Sequence, residues 1–192
     1  MIDVRRSALD GVVEITPSRH GDSRGYLSET YKASVWREAG VALDVVQDNE
    51  AHSARALTLR GLHFQRPPYA QDKLVRVARG RVWDVVVDLR QGSPTYRAWE
   101  GVELSAAKGN QLLAPKGFAH GFLTLEPDCL VLYKMTAEYA PAHERAVRWD
   151  DPALGVDWPL GGAQPVLSEK DAVAPLLADL GAPFADVEAA ER

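Results

Sequence analysis

The heptapeptide RGLHFQR, residues 60–66, sets a guanidinium, an imidazole and a carboxamide inside a run that otherwise reads as a buried β-strand. Burying Arg60 and His63 is unfavourable unless each finds a partner, so the cluster is a candidate for holding something. Histidine changes charge near neutral pH and can take up or release a proton, while arginine holds anions through a planar fork of donors. A bland reading competes, in which His63 alone is a hydrogen-bonded core histidine. A second histidine, His120, closes the stretch GNQLLAPKGFAH (109–120) after a Pro-Gly turn.

Geometry raises a difficulty. Arg60 and His63 have opposite parity, and a regular pleat would point them to opposite faces. Gly61 lies between them, and a bulge or bend there would bring both to one cavity, so an irregularity is predicted between Leu59 and Phe64.

The elements that must position these groups read as strands: 12–15, 26–31, 43–49, 56–59, 73–79, 82–88, 99–104, 111–114 and 129–136, separated by turn chemistry such as HGDSRG and RQGSPT. This spacing predicts an all-β sandwich or barrel. VWDVVVDL and CLVLY are apolar on both faces, which points to strands covered twice and hints at a second subunit. Helical signals sit at the flanks: KASVWREAG ends at Gly40, and SEKDAVAPLLADLG runs from an N-cap at Ser168 to Gly181, broken at Pro175.

The 192 residues suit a single domain spanning 1–192, with 182–192 expected to fray. A net charge of −5 argues against nucleic acid as the partner, so an anionic substrate would need a local basic pocket. Cys129, the single cysteine, excludes an intramolecular disulfide, and MIDVRRSALDG lacks the apolar run of a signal peptide, so a cytoplasmic protein with no membrane partner is expected.

GNQLLAPKGFAH resembles the second motif of the cupin superfamily, which implies a jelly-roll β-barrel with short flanking helices. Many cupins bind a metal through H-x-H and a glutamate, but here His63 is followed two later by Gln65 and no glutamate is suitably placed. Two imidazoles are a poor ligand set, so no metal is expected. A wider resemblance covers about residues 10–175. DSRG (22–25), QDN (47–49), LRGLHFQ (59–65), DKLVRVARGRVWDVVVDLRQGSPTY (72–96), APKGFAHGF (114–122), LYKMTAEYAP (132–141), HERAVRWDDPALGVDWP (143–159) and LSEKD (167–171) are similar, in order, to the dTDP-4-keto-6-deoxyglucose 3,5-epimerases of dTDP-L-rhamnose synthesis.

That resemblance implies epimerisation on either side of a ketone, without cofactor. His63 is the base, Asp171 the carboxylate that orients it, Tyr133 the acid on the opposite face and Lys73 the partner of the enolate oxygen. It also implies a homodimer. Arg24, reaching across from the second subunit, joins Arg60 and Lys73 on the diphosphate. Glu29, Gln47, Asn49, Glu144 and Lys170 match polar contacts to nucleotide or sugar, Tyr139 the aromatic that stacks on thymine, and His120 a sugar contact. The chain departs from the family at Ala51 and His52, in a loop expected near the nucleotide. Asp171 also sits three after Ser168 and suits a capping box, a purely structural job. Three rivals remain: a single-site epimerase, a metal-dependent cupin oxygenase, and a sugar-nucleotide binding module without catalysis.

Overall fold

The computed structural model describes residues 1–184, built mainly as two antiparallel sheets. In spatial order the first contains β1 (Ile2–Arg6), β2 (Val13–Pro17), β10 (Gln111–Ala114), β7 (Lys73–Arg79), β12 (Cys129–Met135) and β5 (Gln47–Ser53). The second contains β13 (Glu144–Ala146), β6 (Leu59–Gln65), β11 (Phe118–Thr124), β8 (Arg81–Asp88) and β9 (Trp99–Ser105). A small hairpin of β3 (His20–Asp22) and β4 (Gly25–Leu27) is exposed along its length. The chain crosses repeatedly between the two large sheets, and the result is the all-β, cupin-type sandwich that the strand spacing and the motif predict.

Period-two patterning sorts the apolar residues into layers. Val75, Val77, Val82, Val86, Val131 and Phe122 belong to the cluster between the sheets. Val13, Ile15, Leu74 and Leu113 lie behind the first sheet, under Trp36 of α1 (Ala33–Glu38). Val85, Val87 and Leu89 lie behind the second sheet, under Leu154, Trp158, Leu177 and Phe184. The second cover of VWDVVVDL is therefore the chain's own C-terminal stretch, where the two-faced apolar pattern had hinted at a partner subunit. On β12, by contrast, Leu130 and Leu132 remain half-buried.

The C-terminal stretch breaks where Pro175 requires. Helix α2 (Glu169–Ala172) is capped by Ser168, and a 3₁₀ turn follows at Leu177–Leu180. Residues 182–184 do not fray as expected, because Phe184 is buried against Phe64 with ring centroids 5.4 Å apart and bridges to Arg90. Positions 185–192 lie outside the described residues.

Several strand boundaries differ from expectation. The strand expected at 43–49 begins only at Gln47, the one at 26–31 stops at Leu27, and that at 56–59 starts at Leu59; β1, β3, β11 and β13 are not among the expected strands. The alternating face of β5 that carries Gln47, Asn49 and Ala51 lines a cavity, so its polar residues do not advertise a strand.

Candidate active site

The predicted irregularity is present in β6. His63 pairs with His120 and Arg60 with Phe122, so three steps on β6 face two on β11, and the register shifts between them. The extra residue restores a common face. Gly61 takes φ +126°, and the Gly61–Leu62 peptide is cis. A Cβ on Gly61 would stand 2.6 Å from the Cα of Gly121, so glycine is what lets the two strands approach here. As a result Arg60, His63, His120 and Phe122 line one cavity of about 220 Å³ with Ala51, Lys73, Tyr133, Ser168, Lys170 and Asp171.

A second lobe of about 130 Å³ shares His63, Lys73 and Tyr133 with the first and adds Gln47, Asn49, Tyr139 and Glu144. Those three shared side chains thus stand where the lobes meet. Lys73 on β7 and Tyr133 on β12 come from adjacent strands, with Tyr133 level with Val75 and Lys73 with Met135.

His63 Nε2 lies 2.6 Å from Asp171 Oδ1. An ionised carboxylate only accepts, which places the proton of a neutral imidazole on Nε2 and leaves Nδ1 as the basic nitrogen. Burial alone would raise the Asp171 carboxyl, but the hydrogen bond and charge of His63, with help from Ser168 and Lys170, hold it below the usual carboxylate range. Lys73 Nζ donates to the His63 carbonyl at 3.2 Å. Its burial pushes the ammonium down to about 8, against the opposing pull of Glu144 and Asp84.

Around this centre the polar residues are already paired. Lys170 Nζ sits 2.6 Å from Glu144 Oε2, which also accepts the Tyr139 hydroxyl at 2.8 Å. Burial would raise the Glu144 carboxyl, yet Lys170, Tyr139 and the charge of His63 keep it low. Gln47 donates to Asn49 at 3.0 Å and accepts the Tyr139 N–H at 2.8 Å. Arg60 is exposed, not buried as its place in an apolar strand suggests, and is held by the His52 carbonyl at 2.9 Å and by Ser53 Oγ at 3.3 Å. Tyr139 is half exposed at the second lobe.

Two expected binding residues stand apart from the cavity within this chain. Arg24, on the exposed hairpin, pairs with Asp22 at 2.5 Å, and Glu29 faces Lys32 at 3.7 Å. One residue was missed. Asp84, fully buried, holds His120 Nε2 at 2.9 and 3.0 Å through its two oxygens. Its signal was available, since Asp84 is in phase with the inward-facing Val82 and Val86 and a buried carboxylate needs a partner. Among the described residues no group of three or more His, Cys, Asp or Glu side chains is arranged to hold a metal ion, and the Nε2 atoms of His63 and His120 each face a carboxylate.

On a cupin-type sandwich, one polar cavity brings together a histidine–aspartate pair, a tyrosine and a desolvated lysine, a set of groups able to take up and donate protons. The family model for dTDP-4-dehydrorhamnose 3,5-epimerase matches residues 6–179. The chain belongs to that family. A Sinorhizobium fredii dTDP-4-dehydrorhamnose 3,5-epimerase is 50% identical over 170 residues, covering 88% of this chain and 87% of the relative. The solved Legionella pneumophila dTDP-6-deoxy-D-glucose-3,5-epimerase, in complex with dTDP-4-keto-L-rhamnose, superposes with a TM-score of 0.92 at 41% identity, over 99% of this chain and 100% of that one. A histidine-to-asparagine, tyrosine-to-phenylalanine double mutant of a 3'-monoepimerase from Streptomyces bikiniensis, solved with dTDP, has a TM-score of 0.87 at 35% identity, over 94% of this chain and 92% of that one. In that double mutant the replaced histidine and tyrosine are as far apart in sequence as His63 and Tyr133 are here.

Proposed function

We propose that the chain epimerises C3 and C5 of dTDP-4-keto-6-deoxy-D-glucose to give dTDP-4-keto-L-rhamnose, within dTDP-L-rhamnose biosynthesis. The observation that carries this reading is the His63–Asp171 pair sharing a cavity with Tyr133 and Lys73. Neutral His63 removes a proton from the carbon beside the C4 ketone through Nδ1, and the Asp171 carboxylate stabilises the imidazolium formed. The electron pair moves onto the ketone oxygen, where the Lys73 ammonium meets the developing charge. Tyr133 delivers a proton to the opposite face of the carbon. The imidazolium and phenolate then return to neutrality by exchange with solvent, and the sequence repeats at the second carbon.

Binding follows from charge and position. Arg60 takes the diphosphate with Lys73 close by, and His120, fixed by Asp84, contacts the sugar. Gln47, Asn49, Tyr139, Glu144 and Lys170 serve the nucleotide. The protein works as a homodimer in which the exposed hairpin of one copy reaches the cavity of the other, bringing Arg24 and Glu29 to the ligand. Tyr26 and Leu27, 61% and 73% exposed, and the half-covered Leu130 and Leu132 support such a contact. The reading places this work in the cytoplasm.

Likeness to a 3'-monoepimerase favours a second reading, proton transfer at one carbon only. Incubation with dTDP-4-keto-6-deoxyglucose in deuterated water separates the two, because each exchanged carbon gains a deuteron. Deuterium at C3 and C5 is the expected result, and deuterium at a single carbon would replace it with the second reading. No incorporation with intact dTDP binding would mean that the pocket grips a ligand without acting on it.

A further inference from the structure

We propose that Ser168 is a positioning residue for proton abstraction, holding the Asp171 carboxylate in the plane that serves His63. The inference rests on the roles given above to His63 and Asp171. Ser168 Oγ donates to Asp171 Oδ2 at 2.9 Å while Oδ1 faces His63 Nε2 at 2.6 Å, so each carboxylate oxygen is engaged. The same Oγ accepts the Asp171 backbone N–H at 3.1 Å, which caps α2.

The surrounding structure shows why a second hold on the side chain is needed. Helix α2 has four residues, too few to be rigid by itself. Its flanks are pinned through backbone groups: Leu59 N donates to Val166 O at 3.0 Å, Arg148 N to Pro175 O at 2.9 Å, and Leu177 N to Asp151 Oδ2 at 2.7 Å. These contacts set where the Asp171 Cα lies, not how its carboxylate is turned. Among the described residues, Ser168 and His63 are the side chains hydrogen bonded to that carboxylate. Without the hydroxyl, Oδ2 is left to turn toward the cavity, and Oδ1 turns with it.

Capping and positioning can be separated by substitution. Glycine is nearly as good an N-cap as serine but donates nothing to Oδ2, whereas threonine keeps both functions. Three proteins, wild type, Ser168→Gly and Ser168→Thr, are compared for initial deuterium wash-in, kcat, KM, dTDP affinity and melting temperature. The expected outcome for Ser168→Gly is a fall of about tenfold or more in wash-in and kcat, the range for a lost hydrogen bond to a charged group, with KM and dTDP affinity little changed. Ser168→Thr restores both rates. The Nε2–H proton resonance of His63, shifted downfield by its short hydrogen bond, should move upfield in the glycine variant alone. Wild-type exchange matched by an unaffected Ser168→Gly variant overturns the proposal by itself, as does a rate loss that tracks a fallen melting temperature and is not rescued by threonine. Absence of exchange in wild type overturns the His63 assignment and the proposal with it.

Discussion

Replacing Lys73 by methionine separates what its ammonium does to the fold from what it does for the reaction. Burial moves this pKa from 10.5 to about 8, so the folded protein holds the proton less tightly than the unfolded chain. Below about pH 8 both states are protonated and the fold carries the full penalty. As pH rises from about 8 to 10.5 the folded lysine loses its proton while the unfolded one keeps it, and stability rises across that window. At about 1.4 kcal/mol per tenfold change in proton affinity, the penalty near neutral pH is about 3 kcal/mol. Methionine keeps an apolar stem in the site and leaves only the His63 carbonyl without its 3.2 Å donor, a loss of about 1 kcal/mol.

The variant is therefore expected to be more stable than wild type near pH 7 by about 2 kcal/mol, which for a chain of this size is roughly 5 °C in melting temperature. The gap should close as pH approaches about 9.5, where the wild-type lysine is largely neutral in the folded state. Activity should move the other way. If Lys73 serves the enolate oxygen as proposed, its removal should lower kcat by about a hundredfold to a thousandfold, so the variant trades function for stability. Calorimetric melts of both proteins across this pH range, with kcat measured near neutrality, test both halves. A variant less stable than wild type at pH 7, or a gap that does not narrow with pH, refutes the desolvation argument. An unchanged kcat refutes the placement of Lys73 at the enolate oxygen.

The division of labour between the two faces of the sugar is tested by His63→Ala and Tyr133→Phe in deuterated buffer. The first should abolish exchange at both carbons, while the second should leave initial exchange largely intact and slow completed epimerisation by at least about a hundredfold; equal loss of exchange in both would end the two-face assignment. Gly61→Ala puts a Cβ 2.6 Å from the Gly121 Cα and 2.9 Å from the His120 carbonyl at φ +126°. It should lower the denaturation midpoint by an amount corresponding to about 3 kcal/mol or more, and an unshifted midpoint would show that the bulge does not depend on glycine.

How much of this was legible in the sequence depended on whether local pattern and function agreed. Strands β7, β8, β9, β10 and β12 alternate or run apolar, and their spans differ from expectation by at most one residue at an end. The bulge in β6 was readable because a charged residue and a histidine of opposite parity flank a glycine, and only an added residue reconciles them. Where a strand lines the polar cavity, the rule inverts. Gln47 and Asn49 face inward on β5, so the hydrophobic pattern pointed four residues too early. Asp84 was overlooked for a related reason: amid the valines of β8 it reads as a fault in the pattern, yet it is the buried partner of His120. The cover over β8 could not be read locally at all. Leu154, Trp158, Leu177 and Phe184 reach it from an irregular stretch with no period, so their burial is decided by packing between residues distant in sequence. Asp171 needed the family resemblance, because a capping box accounts for it fully until the fold brings His63 to its other oxygen. The residues that defied the pattern, Arg60, Asp84, Gln47 and Asn49, are cavity residues or their direct partners, as expected where a fold gives up local consistency to build a site.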